Sequence, residues 1–419
     1  MKRLVFFLVT ALTLFSCSNE IPEQEVPTYR GRTIMAYLVA NNKNVNLDKY
    51  LKQNVVWMYQ SMTEMKDSCR LLVFYRPNTG DSLLTEPSIL EFLSDGKGNV
   101  NGQPGLVVAD PADKEEQKQV FQSARLLKSY AQAEGFNATD PQVMAQVFTD
   151  MRIAAPSGNY GLIFGSHATG WMPAAKTVGR AFGDDNGYSI DIPELHDVLA
   201  SSFGSSGKLD FILFDACMMG SVEVAYELRD VTDYCVASVM ETYVDGFPYH
   251  LMFNCLVREM VDYHRICNIF TEYYKNHPKF GYMWGTCAAI DCSKLENLSV
   301  AVADELAAYA DSLATVDYQN IQQYCKTDHY AASFDVKDFF TVLDGGTVSA
   351  GLQNALDEAV VAKSCIPGKY GNFPEIDSDR FCGIGMYIRG RSRAEGWDEY
   401  YRNSISWYQA VGWETVVNN

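Results

Sequence analysis

The chain has 419 residues, 47% of them hydrophobic and 13% aromatic, so it holds material for one large or two smaller cores and is no disordered segment. Its formal net charge of -18 argues against nucleic-acid binding, which needs clustered Lys and Arg, and favours solubility and attraction of cationic ligands. Eleven cysteines are scattered with no CxxC pair and no Cys/His cluster at zinc spacing, so neither a metal nor another cofactor is expected.

In chain order, Lys2 and Arg3 precede an apolar stretch, Leu4 to Phe15, too short to span a bilayer as a mature helix. It closes on Leu14-Phe15-Ser16-Cys17, which resembles a bacterial lipobox with Cys17 as the acylated residue. Residues 1–17 therefore read as a lipoprotein signal and the polar, acidic 18–30 as a tether. This places the remaining body, 31–419, at the bacterial cell envelope, with the lipid as its only membrane contact.

The body opens with a strand at Thr33 to Ala40, a helix from Leu47 to Met62 and a strand from Cys69 to Arg76. Residues 88–108 read as a hairpin, broken by SDGKGN and NGQPG. Helices are predicted over Asp113 to Glu134 and Asp140 to Ala154, the second with Thr139 and Asp140 as cap and Pro141 in its first turn. A strand from Tyr160 to Ser166 ends at His167, and FGDDNGYSI has the Asp-Asn-Gly of a tight hairpin. After a helix from Ile192 to Ser201, the strand Leu209 to Phe214 runs into Cys217 and a helix from Ser221 to Arg229. Strands at Tyr234 to Val239, Gly285 to Asp291 and Gly383 to Arg389 alternate with helices at Leu295 to Leu313, Val336 to Leu343 and Leu352 to Ala362. That alternation predicts an α/β/α sandwich with a mostly parallel sheet, and no linker divides it.

Chemistry in open α/β sheets sits beyond the carboxyl ends of the strands. His167, framed by Gly165 and Gly170, and Cys217 both occupy such ends, fifty residues apart. A thiolate attacking a carbonyl and an imidazole protonating the leaving amine need those two groups. A strand-to-helix switch at Cys217 is expected to lower its thiol pKa, and the amides of Ala168 and Cys217 are candidate oxyanion donors. His196, His264, His277 and His329 read as solvated or capping histidines, with His250 left open. Asp215, a carboxylate in an apolar strand, is either a structural acceptor or the floor of a pocket for a basic side chain. Once Cys17 and Cys217 are set aside an odd number of cysteines is left, several in apolar stretches (Cys235, Cys255, Cys287), which suits buried free thiols.

SHATGW and FDACMMGSVEVAYELRD resemble the paired His and Cys blocks of the clostripain-like cysteine peptidases, relatives of gingipains, legumain and caspases. TIMAYLVANNKNVN, ASVMETYVDGFPY and FCGIGMYIRG resemble further blocks of that family. The resemblance implies a caspase-like fold, His167 as general acid/base, Cys217 as nucleophile and Asp215 beside an S1 pocket that commonly accepts Arg or Lys. The loop from Ser238 to Tyr249, including Glu241, would form a pocket wall. Family members are often cleaved between the two blocks, where Lys176, Arg180 and Lys208 lie here. The family usually has Gly after the catalytic His, whereas Ala168 and Thr169 stand here. Some relatives depend on calcium; Asp184, Asp185, Asn186 and Asp191 offer oxygens, with a turn of solvated acids the favoured reading. The leading expectation is a lipid-anchored endopeptidase acting on peptides or proteins. The alternative, motivated by the replaced glycines, is a catalytically silent binding module on the same fold.

Overall fold

The computed structural model describes residues 31–417 apart from 44–45, 132–134, 174–181, 205–206, 326–332 and 391–395. Its first half runs β1 (Thr33–Val39), α1 (Asp48–Glu64), β2 (Cys69–Arg76), β3 (Ser88–Ser94), β4 (Asn99–Val100), β5 (Gln103–Pro104), α2 (Lys114–Ser123), β6 (Arg125–Ser129), α3 (Pro141–Ala154) and β7 (Tyr160–Gly165). Next come β8 (Phe182–Asp185), β9 (Tyr188–Ile190), α4 (Ile192–Phe203), β10 (Phe211–Asp215), α5 (Val222–Glu227), β11 (Tyr234–Ala237), α6 (Tyr249–Val257) and α7 (Tyr263–Lys275). The last part holds β12 (Thr286–Asp291), α8 (Leu295–Ala308), β13 (Phe334–Asp335), α9 (Val336–Asp344), α10 (Ala350–Ala359), β14 (Val360–Cys365), β15 (Gly385–Met386), α11 (Trp397–Ser404), α12 (Ser406–Ala410) and α13 (Trp413–Val417).

The main sheet has the order β14-β12-β11-β10-β7-β1-β2-β3-β4-β5, with β6 also paired to β3. Its centre, β11-β10-β7-β1-β2, is parallel, and antiparallel strands extend both sides. The alternation along β1 shows why the sheet is covered twice. Ile34, Ala36 and Leu38 pack with Leu51 and Val55 of α1, Met252 of α6 and Phe270 of α7. Met35, Tyr37 and Val39 join Met144 of α3, Leu195 of α4, Val224 of α5 and Leu298 of α8 on the other face. The result is the expected α/β/α sandwich.

Three expectations change. The helix predicted over 113–134 is cut to α2, and Arg125–Ser129 extends as β6 along β3, covering an edge left open there. The helix predicted over 352–362 ends at Ala359, where the β-branched Val360 and Val361 start β14. Of the strand expected over 383–389 only Gly385–Met386 remains, paired with β13 in a separate ribbon. No described helix is long and apolar enough to cross a membrane.

Candidate active site

β7 and β10 are parallel neighbours in which Gly165 is the register partner of Asp215. The chain thus leaves both strands at one level, and two residues further on each delivers a reactive side chain, His167 from β7 and Cys217 from β10. Both line one hollow of about 230 Å³, together with Asn54, Asp215, Glu241, Thr242, Tyr243 and Gly246. A larger hollow of about 560 Å³ lies around Arg32, Asp210 and Glu259. Its guanidinium is already spent on Asp210 and on the carbonyls of Leu256 and Arg258, so its size carries no chemical signal.

The Cys217 turn is tightly constrained. Met218 adopts a left-handed φ of 60°, unusual for a residue with a side chain, and its N–H donates to Met240 O at 3.0 Å. Gly220 N donates to Ser238 O at 2.8 Å, tying the turn to the segment after β11. The Thr242 N–H points at Cys217 Sγ from 3.4 Å, and Thr242 Oγ1 donates to Ala216 O at 3.1 Å. A Cβ on Gly170 would lie 2.7 Å from Met218 O, so only glycine lets the His loop pack against the Cys turn. The expected helix dipole behind the thiol is absent: α5 starts only at Val222, capped by Ser221 Oγ, five residues beyond Cys217. The two methionines and Gly220 spend those residues on a turn instead.

The His167 carbonyl accepts from Gly183 N at 2.8 Å, and Ala168 forms an antiparallel bridge with Phe182. Trp171, buried against Tyr387 and Tyr401, anchors the far end of this loop in the C-terminal helices. The hairpin β8–β9 braces it from below.

Asp215 forms the floor. Asn54 Nδ2 (3.1 Å), Phe247 N (3.2 Å) and Tyr249 Oη (2.9 Å) all donate to its Oδ2, and none of them to Oδ1. Among the described residues no Lys or Arg pairs with it, and burial pushes its carboxyl up to about 6 against the pull of the donors. Both sequence readings of Asp215 therefore meet in one side chain: it is a structural acceptor through one oxygen and a wall of the hollow. Glu241 lines the hollow as expected. Ser238 does not reach it; its Oγ is buried against Thr286 Oγ1 at 2.7 Å and accepts from Met240 N. Lys208 is exposed before β10, at the opposite end of the strand from Cys217, with Nζ donating to Arg229 O at 2.8 Å. Lys176, Arg180 and Cys17 lie outside the described residues, as does His329.

Of the residues weighed for calcium, Asp184 and Asp185 are not solvated. Asp185 accepts from Arg76 Nε, Asn41 Nδ2 and Ala138 N, and Asp184 accepts from Lys43 N and Gly187 N, both carboxylates being buried. Asp191 forms a capping box with Glu194, and Asn186 takes the left-handed turn position at φ 53°. Protein donors thus use these oxygens, and the described residues contain no group of three or more His, Cys, Asp or Glu placed to hold a metal. His277, read as solvated or capping, is buried and caps the turn after α7, its Nδ1 accepting from Lys279 N and Phe280 N.

Asn54 is the polar lining residue that escaped the sequence reading; Thr242 and Gly246 fall in the 238–249 loop expected as a pocket wall. Asn54 left one signal, an amide between the apolar faces of α1, where it is 1% exposed with Oδ1 unpartnered.

The description "Clostripain family" matches residues 36–419. No curated protein matches the chain at a significant level. The fold is similar to a secreted C11 cysteine protease from Bacteroides thetaiotaomicron bound to an irreversible peptide inhibitor, with a TM-score of 0.71 at 23% identity over 92% of this chain and 99% of that one. It is also similar to an inactive zymogen C11 protease from Parabacteroides distasonis, with a TM-score of 0.65 at 21% identity over 92% and 99% of the two chains. With the match spanning nearly all of the described body, the chain belongs to the clostripain family of cysteine peptidases.

Proposed function

We propose that the chain is an endopeptidase that cuts after Arg or Lys, with Cys217 as nucleophile and His167 as general acid/base. The observation that carries this reading is the shared hollow in which both side chains stand over the Asp215 floor. A cationic P1 side chain entering it meets a carboxylate with an unused oxygen and the unpartnered Oδ1 of Asn54. The Cys217 thiolate attacks the P1 carbonyl, and its Sγ–C bond forms as the carbonyl π pair moves onto oxygen. The Ala168 and Cys217 amides are the donors offered to that oxyanion; the Met218 amide is already spent on Met240 O. Collapse breaks the C–N bond, His167 gives a proton to the leaving amine, and water then releases the acyl group with His167 as base. The family's usual glycines after His167 are met here by Ala168, which keeps its N–H.

The same reading places the protein on the bacterial cell envelope through lipid on Cys17, and keeps Lys176, Arg180 and Lys208 as candidate maturation sites. Release of a fluorophore from peptide amides ending in Arg, Lys, Asp or Asn, by the full chain and its Cys217→Ala variant, tests the function. Cleavage after Arg or Lys that is lost in the variant is expected. Cleavage of only the Asp or Asn amides removes Asp215 from specificity. No cleavage, with the folded chain inert to an acyloxymethyl ketone, favours a silent binding module.

A further inference from the structure

One wall of the hollow is the loop from Glu241 to Gly246, between β11 and α6, and it is held from both sides. Its inner side is tied to the reacting centre through Thr242 and through Phe247 N on Asp215. Its outer side rests on the end of α7 and the turn that follows. There Trp284 Nε1 donates to Glu241 O at 3.1 Å and Tyr274 Oη donates to Gly246 O. Tyr243 packs its ring among those of Tyr274, His277, Phe280 and Trp284, with centroids 5.4 to 5.9 Å apart.

His277 is the centre of this buttress. Its side chain is 2% exposed, and its Nδ1 accepts from the N–H groups of Lys279 and Phe280, both at 3.2 Å. That leaves the proton on Nε2, which donates to Asp245 Oδ2 at 2.9 Å. Backbone bonds in both directions between His277 and Gly281 fix the turn that carries the ring. The ring does not line the hollow, but the residue it grips sits between Val244 and Gly246, which do.

Resting on the peptidase reading above, we propose that His277 is a specificity-setting positioning residue: by holding Asp245 it fixes Val244 and Gly246 against the Asp215 floor, so that the pocket is formed before a basic side chain arrives. Such preorganisation lowers the cost of binding without touching the reacting atoms.

The test measures kinetics on Arg- and Lys-terminated peptide amides for the full chain and for His277→Ala, His277→Gln and Asp245→Ala, with melting curves for each. Removing either partner is expected to raise KM about tenfold with kcat within about twofold, the mark of lost binding common to ground and transition states. Cys217 alkylation by the small neutral iodoacetamide should keep its rate, because the nucleophile is untouched. Gln at 277 keeps a donor toward Asp245 and should restore much of the KM. A variant carrying both His277→Ala and Asp245→Ala, measured alongside, should be no worse than either single one. An unchanged KM, an equal fall in kcat and in the alkylation rate, or additive effects would each overturn the proposal while leaving the peptidase reading intact. A wild-type chain that cleaves none of the amides overturns both.

Discussion

Gly165 and Asp215 face each other across the parallel pair β7 and β10, and this one register fixes where the chemistry sits. Slipping it by a residue would turn Asp215 to the other face of the sheet and move Cys217 away from the level of His167. Gly165 has its own reason to be small: a Cβ there would lie 2.7 Å from Leu38 Cδ2 and 3.0 Å from Leu51 Cδ2. The strand carrying His167 is therefore pressed against β1 and α1, and α1 is the helix that brings Asn54 to the floor.

The state of Asp215 gives the first prediction. Burial raises its carboxyl to about 6, so below that pH the floor is neutral and a cationic P1 side chain loses its counter-charge. We expect kcat/KM for Arg and Lys amides to climb as pH rises through about 6. Asp215→Asn should lower kcat/KM for these substrates about a hundredfold, mostly through KM, and abolish that limb. A pH limb that survives unchanged in the Asn variant would assign it to another group.

Gly246 adopts φ 70°, and a Cβ added to it would meet Asp215 Oδ2 at 2.4 Å and Asn54 Nδ2 at 2.7 Å. Both are ends of side chains that can give way, so Gly246→Ala is expected to fold and to displace the floor. The strain costs about 1 kcal/mol for a side chain in left-handed backbone, and KM for basic substrates should rise at least tenfold. Parallel melting and KM measurements check this; an unchanged KM would show that the floor does not bind P1.

How far the sequence carries this site depends on whether neighbours in the chain decide the geometry. The parallel strands, and with them His167 and Cys217, are legible because β1, β7 and β10 are short apolar runs with a sharp end. The hairpin at Asn186-Gly187 is legible for the same reason, since the turn demands those residues locally. The loop holding Thr242 is legible as a pocket wall through its resemblance, whereas Asn54 and the His277–Asp245 pair are set by tertiary packing between elements far apart in the chain, and no local pattern marks them. The helix dipole expected behind Cys217 is an instructive error. The helix predicted from Ser221 does form, as α5, but hydrogen bonds to Met240 O and Ser238 O hold Met218 and Gly220 as a turn that sets the thiol too far from its start.

Gly220 makes a contrasting case to Gly246. Its Cβ would lie 2.8 Å from the Ser238 carbonyl carbon and 2.8 Å from Val239 N, buried backbone atoms of the segment after β11 that cannot swing aside. Gly220→Ala is therefore expected to cost about 2–3 kcal/mol of stability. Denaturant midpoints with an unchanged m-value would confirm it, whereas a cost below about 0.5 kcal/mol would mean the turn yields more easily than its contacts allow.

Glu223, on α5 behind the Cys217 turn, supplies a prediction about pH and stability. It is fully buried; Oε1 accepts from Tyr387 N at 2.7 Å and Tyr401 Oη at 3.2 Å, while Oε2 has no partner. Burial, the dominant influence, raises its carboxyl to about 7. A carboxyl raised in the folded state binds more protons there than in the unfolded chain, so its stabilising effect is complete at acid pH and is lost as pH rises through about 7. Asp215, raised to about 6, acts in the same direction and is present in both proteins compared next. Glu223→Gln keeps an acceptor for Tyr387 and Tyr401 but cannot ionise, so its stability relative to wild type should improve by about 3 kcal/mol between pH 5 and pH 8. Urea denaturation of both proteins at the two pH values measures that difference directly. A constant offset would mean that Glu223 ionises as readily inside the fold as in the unfolded chain, the C-terminal helices binding α5 equally well with the carboxylate charged.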